Sequence, residues 1–241
     1  MGMLELLNMR PNETNNILAI VAHPDDEVIG LGGSLRKHVK QGDCVKVLIL
    51  GDGKSSRENR YRPIEDDIKK MSYNETKNAM KKLGIFEFYK EYLPDNRFDT
   101  IALLDVVKVV SGYIKKIRPT IIYTHHPGDL NIDHQKTAEA VIIATRPIEY
   151  KSLKELRMFE TLSSTEMSGA RYTHVFIPNL FVNIENELDD KLKAMRCYAS
   201  ELREFPHPRS LKAIEYNAYV WGAKNNQTAV EPFYVFRKNE Q

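Results

Sequence analysis

Two cysteines in 241 residues, Cys44 and Cys197, are too few and too far apart for a disulfide framework, and they form no CxxC pair. A reducing cytoplasm is the compartment this usage suggests. No run of about 18 apolar residues occurs, so a transmembrane span is not expected. The first sixteen residues carry Glu5, Arg10, Pro11 and Glu13 and lack a sustained apolar core, so a signal peptide is not expected there. A concentrated basic face is missing as well. Formal net charge is +2, and lysines such as Lys69, Lys70, Lys81 and Lys82 are spread along helical segments as solvated faces. A nucleic-acid partner is therefore not expected. Internal repeats and low-complexity linkers are absent too.

What is present is an alternation of apolar strand-length runs and helix-period segments. That pattern marks an α/β fold of Rossmann-like type, a mostly parallel sheet with helices on both faces, and the length suits one domain over residues 1–241. Strands are expected at 17–22, 45–50, 86–92, 120–124, 157–162, 180–184 and 233–236. Helices are expected at 28–41, 64–83, 99–117, 133–145, 187–202 and 211–221. Asp99 or Thr100 is the expected N-cap of the third helix, and Gly84 the C-terminal glycine of the second.

Two polar segments interrupt this pattern where a parallel sheet places its active site, just past the carboxyl ends of strands. The first is Ala22-His23-Pro24-Asp25-Asp26-Glu27, after the first strand. The second is His125-His126-Pro127-Gly128-Asp129-Leu130-Asn131-Ile132-Asp133-His134, after the fourth. Three clustered acids repel one another unless a cation is near, although an acidic helix start is also favoured by the helix dipole. First and fourth strands are commonly neighbours in a doubly wound sheet, so the two loops can face each other. Imidazole nitrogen and carboxylate oxygen suit zinc, and a catalytic zinc needs three protein ligands and one open position. His23 and Asp26, three residues apart on a turn, together with His134 form the candidate ligand set. Asp25, next to a ligand, is the candidate general base. The spacing alone does not name a reaction.

AHPDDE at 22–27, the glycine-rich helix start Val28-Ile29-Gly30-Leu31-Gly32-Gly33, and Asp133-His134 together resemble the PIG-L-like de-N-acetylases, also called LmbE-like proteins. Weaker echoes run through Glu75, Ala79, Leu83-Gly84, Leu93-Pro94-Asp95, Lys193 and Tyr198-Ala199-Ser200-Glu201. The resemblance implies a zinc-dependent hydrolase that removes an N-acetyl group from an amino-sugar derivative, with one zinc, or another divalent metal, per chain. It makes His23, Asp26 and His134 ligands, Asp25 the base, and Asp133 the carboxylate that orients an active-site histidine at position 131. Asn131 stands there instead. It can donate a hydrogen bond to an oxyanion but cannot act as an acid, so His126 or His125, or a proton returned by Asp25, must serve the leaving amine.

Ser72 stands near where many relatives carry a substrate-binding arginine, a role that Arg57, Arg60 or Arg62 could fill from the loop at 54–63. Asp95 and the loop Pro206-His207-Pro208-Arg209-Ser210 complete the expected substrate wall, with His207 and Arg209 facing the ligand. The expected partner is a small amino-sugar derivative, free or joined to a nucleotide diphosphate or another anionic carrier. A homo-oligomer is compatible with the sequence. The alternatives are an amidase acting on another small acyl-amide, such as a thiol-sugar conjugate or an antibiotic precursor, and a metal-binding relative without activity. A Rossmann-like binding protein or methyltransferase would place a glycine-rich loop where HPDDE lies.

Overall fold

The computed structural model describes residues 14–57, 65–169 and 175–240. Strands β1 (Asn16–Val21), β2 (Cys44–Gly51), β3 (Glu87–Leu93), β4 (Ile121–His125), β5 (Glu155–Phe159), β6 (Leu180–Asn183) and β7 (Val230–Lys238) form one sheet in the order β3-β2-β1-β4-β5-β7-β6. The five strands from β3 to β5 are parallel, and β7 pairs antiparallel with both β5 and β6. β1 is the hinge of this order. Ile17 lies opposite Val45 of β2 on one side and Ile121 of β4 on the other, so the strand order reverses here.

Side-chain alternation divides the core between the two faces of the sheet. Ile17, Ala19, Val21, Val47 and Tyr123 pack under helices α1 (Asp26–Lys40), α2 (Asp66–Leu83), α5 (Leu188–Met195) and α6 (Leu211–Lys224). Leu18, Ile20, Leu48, Ile122 and Leu156 pack under α3 (Leu103–Ile117) and α4 (Ile132–Ala144). Parallel strands covered on both faces read as unbroken apolar runs, which is why 17–22 and 45–50 were legible as strands.

The glycines of α1 serve close packing and a kink. A Cβ on Gly30 would lie 2.2 Å from the Phe159 ring. Leu31 leaves helical geometry at φ −148°, and the amides of Gly33 and Ser34 donate instead to the Glu231 carboxylate at 2.9 and 2.7 Å. Lys191 Nζ balances that buried carboxylate at 2.6 Å.

Three elements differ from expectation. Residues 98–100 form a 3-10 turn and α3 starts only at Leu103, because Phe98 is buried and its amide donates to Asp133 Oδ1 at 2.9 Å. α5 stops at Met195, and the chain then turns to bring Tyr198 and Glu201 inward. β7 runs from Val230 through Pro232, since β6 pairs with it along Val230–Phe233 and carries it past a residue that ordinarily ends a strand.

Candidate metal and catalytic site

β1 and β4 end side by side, so the loops at 22–25 and 126–131 share the crevice at the point where the strand order reverses. In the first loop Asp25 adopts φ 109°, a left-handed conformation uncommon for any residue but glycine. That twist separates two adjacent carboxylates. Asp26 enters the first turn of α1, where its Oδ2 accepts the His23 amide at 2.8 Å, while Asp25 lines a cavity.

His23 presents Nε2 to Asp133 Oδ2 at 2.8 Å and to Asp95 Oδ1 at 3.1 Å. Carboxylates only accept, so the proton sits on Nε2 and the Nδ1 lone pair faces the crevice. His134 mirrors this arrangement. Its Nδ1 lies 3.1 Å from Asp129 Oδ2, and its Nε2 points at the same spot as His23 Nδ1. Asp129 is held in turn by Thr165 Oγ1 at 2.6 Å, by the hydroxyl of Ser164 and by the Asn131 amide.

Three atoms therefore converge. His23 Nδ1 and His134 Nε2 are 3.3 Å apart, and Asp26 Oδ2 lies 3.6 and 3.4 Å from them. A tetrahedral ion with ligands at ~2.05 Å would hold its donors ~3.3 Å apart, so the residues fit a zinc-like cation. The charges agree with the distances. Burial opposes the protonated form of His134, but Asp26 and Asp129 outweigh it and lift the imidazole pKa to about 9. Burial likewise opposes a charged His23, and Asp133, Asp26 and Asp95 overcome it to raise that group. The same acids that favour a charged imidazole would favour a cation held between the two rings. Asp26 Oδ1, buried, has no hydrogen-bond partner. The outer pair of carboxylates, Asp95 and Asp129, resists protonation despite burial, each held at about 2 by the histidines they face. Carboxylates behind ligating histidines fix tautomer and orientation.

His125 lies close by yet is a poor ligand. The Ala22 amide donates to its Nε2 at 3.0 Å, Nδ1 meets Thr161 Oγ1 at 3.2 Å, and burial together with His134 drives its pKa down to about 4. It stacks on His134 at 3.9 Å between ring centroids.

The cavity beside the cluster, about 200 Å³, is lined by His23, Asp25, Asp95, Asn131, Glu201 and Arg209, among others. Asp25 is nearly fully buried, and burial raises its carboxyl well above the usual range, an effect that Arg209 opposes. Its Oδ2 has no hydrogen-bond partner and lies 3.7 Å from Arg209 Nη1.

Of the other expected residues, some line the cavity and some lie outside it. His126 packs edge-on against Tyr234 and Phe176, outside the cavity lining, with its Nδ1 accepting the Gly128 amide. His207 is exposed, and its Nδ1 accepts the Arg209 amide. Asp95, expected on the substrate, lines the cavity and lies 3.1 Å from His23 Nε2. Asn131 is the N-cap of α4, its Oδ1 accepting the Asp133 amide at 2.8 Å, and Asp133 orients His23 in place of the missing histidine. Arg57 closes a 3-10 turn at Ser55–Arg57, whereas Arg60 and Arg62 lie outside the described residues. Ser72 is fully buried, and Lys90 Nζ donates to its Oγ at 2.6 Å.

Asp129 has no role in the sequence pattern, Lys54 enters it only through the loop at 54–63 expected to meet an anion, and Glu201 only as a weaker echo of the family. Asp129 sat inside the second polar segment and could have been singled out as a third acid next to a ligand. Lys54 and Glu201 are 147 positions apart and carried no joint signal.

The pattern of the PIG-L family, GlcNAc-PI de-N-acetylase, matches residues 18–145. Diacetylchitobiose deacetylase of Thermococcus kodakarensis is 27% identical over 206 residues, 80% of this chain and 72% of that protein. N,N'-diacetylchitobiose deacetylase from Pyrococcus horikoshii superimposes with a TM-score of 0.75 at 19% identity, covering 96% of this chain and 89% of that one. The 4-carboxy-2-hydroxymuconate hydratase GalB of Pseudomonas putida superimposes with a TM-score of 0.71 at 21% identity, covering 95% and 98%. At such identities the structural likenesses speak for the fold alone. The family pattern spans more than half of the chain and contains both polar loops, and the chain belongs to the PIG-L family of GlcNAc-PI de-N-acetylases.

Proposed function

We propose that the protein is a metal-dependent N-deacetylase that hydrolyses the acetamide of an amino-sugar derivative. The observation that carries this reading is the convergence of His23 Nδ1, His134 Nε2 and Asp26 Oδ2 beside a cavity into which Asp25 faces. The same fold also hosts a hydratase, so fold does not decide the chemistry. Sequence identity to a diacetylchitobiose deacetylase across four fifths of the chain adds support.

His23, Asp26 and His134 would hold the ion, with Asp133 and Asp95 behind His23 and Asp129 behind His134. A divalent cation of zinc type, when bound, supplies Lewis acidity toward water and the acetyl carbonyl. Asp25 takes the proton of the attacking water as general base. With His126 off the cavity wall and Asn131 engaged as a helix cap, the same carboxyl returns that proton to the leaving nitrogen. The small, polar cavity suits a single hydroxyl-rich sugar ring.

The test is acetate release from a panel of N-acetylated sugars, free, nucleotide-linked and lipid-linked, before and after chelation. The reading expects turnover on at least one member, lost on chelation and restored by zinc. No acetate from any member of the panel would count against it.

A further inference from the structure

Hydrolysis of an amide builds negative charge on the carbonyl oxygen, and active sites meet it with donors fixed in advance. Position 131 does not provide a cation here. The Asn131 side chain is occupied, its oxygen capping α4 and its Nδ2 donating to Asn96 Oδ1 at 3.0 Å. His23 and His134 face the metal cluster, both ring nitrogens of His125 are engaged, and His126 lies off the cavity wall.

A cation does reach the cavity from the opposite side. Arg209 Nε donates to Ser163 Oγ at 3.0 Å, and its Nη1 lies 3.5 Å from Glu201 Oε2 and 3.7 Å from Asp25 Oδ2. Its Nη2 makes no hydrogen bond to a described residue. Behind it, Glu201 is held by the buried ammonium of Lys54, which also bonds the Ser200 hydroxyl. Glu75 fixes Ser200 through its amide at 3.0 Å and its hydroxyl at 2.8 Å. Charges thus alternate along a chain from Lys54 through Glu201 and Arg209 to Asp25. Such an arrangement fixes the guanidinium at the cavity wall, with Nη1 shared between two carboxylates at distances longer than those of a bidentate pair. A group placed only to grip a substrate's periphery has no need to stand against the general base.

We propose that Arg209 stabilises the negative charge of the transition state, the task that Asn131 cannot perform with its side chain committed to the helix. This rests on the deacetylase reading and assigns one residue within it. Water oxygen bonds to the acetyl carbon as Asp25 takes one of its protons, and the carbonyl π pair moves onto oxygen, facing Arg209. The C–N bond then breaks, the oxygen pair re-forms the C=O of acetic acid, which keeps the second water proton until it ionises in solvent, and the nitrogen receives the proton from Asp25. Arg209 stays protonated throughout.

The test compares Arg209→Ala, Arg209→Lys and Asp25→Asn for kcat, KM, bound metal and thermal transition, with guanidinium chloride added back to Arg209→Ala. Arg209→Ala is expected to lose about 10²–10³ in kcat with KM and metal content little changed. Guanidinium should restore part of the loss, and Arg209→Lys should stay above Arg209→Ala. An effect confined to KM would make Arg209 a substrate-binding group and overturn the inference, as would a fully active Arg209→Ala beside an inactive Asp25→Asn. Either result leaves the deacetylase reading standing, whereas a parent enzyme that releases no acetate ends both.

Discussion

At φ 109° Asp25 holds a conformation that most residues avoid, with its carboxylate buried and one oxygen unpartnered. Strain of this kind, of order 1–3 kcal/mol, persists only where the surroundings enforce it, and it gathers at active sites. As general base Asp25 should be worth about 10²–10⁴ in rate. Asp25→Asn is expected to lower kcat by that factor while metal content stays at the parent level, measured on one preparation by acetate release and elemental analysis. Loss of the metal would make Asp25 a ligand instead. The residues of the two loops were legible because their chemistry is contiguous in sequence: His23, Asp25 and Asp26 fall within four positions, and Asp133-His134 is a pair. Arg209 and Asp95 were legible as polar residues on loops but not in their contacts. Asp95 faces His23 across 72 positions of chain, a distance that neither periodicity nor motif encodes.

At the scale of elements, α1 depends on a charge pair that lies on other parts of the chain. Glu231 of β7 receives the amides that the kink at Leu31 frees, and Lys191 of α5 neutralises it. Removing one partner of a buried pair leaves an uncompensated charge, so Lys191→Met should cost about 3–5 kcal/mol in a urea unfolding measurement. A loss below about 1 kcal/mol would mean that water reaches the site and the pair is a surface one. Gly30→Ala tests the packing of the same helix. Its methyl would meet the Phe159 ring well inside contact distance, and overpacking of this kind costs typically about 1–3 kcal/mol.

Between β3 and α2, burial lowers the Lys90 pKa from its ordinary value to about 8. An unfolded lysine titrates near 10.4, so between these values the unfolded chain binds more protons and stability rises with pH. The cost of the buried charge is fully present below pH 8 and disappears above about pH 10.4. Relative to Lys90→Met, the parent should therefore gain about 3 kcal/mol across that window. Parallel stability curves for the two proteins would show that Lys90 is solvated. Nothing in the sequence around Lys90 signals its burial beside Ser72. The ends of α3 and α5 were similarly hidden, because Phe98 and Tyr198 are drawn to Asp133 and Glu27 by contacts that local propensity does not contain. The strand runs, by contrast, were clear wherever both faces of the sheet are covered.

Over the whole molecule, the sheet order places β1 and β4 together and so brings two loops 100 residues apart into one crevice. The alternation of strands and helices already implied this architecture, and the family pattern at residues 18–145 contains both loops. The antiparallel β6-β7 end was less evident, since β7 passes through Pro232 and reads as a shorter strand. No helix among the described residues is long and apolar enough to cross a membrane. The central claim is that one cation, held by His23, Asp26 and His134, carries the deacetylation. Its most direct test measures metal content and acetate release together in the parent and in His134→Ala. One divalent ion per parent chain is expected, with ion and turnover lost together in His134→Ala. Full metal occupancy in His134→Ala, or undiminished turnover by a metal-free parent, would contradict it.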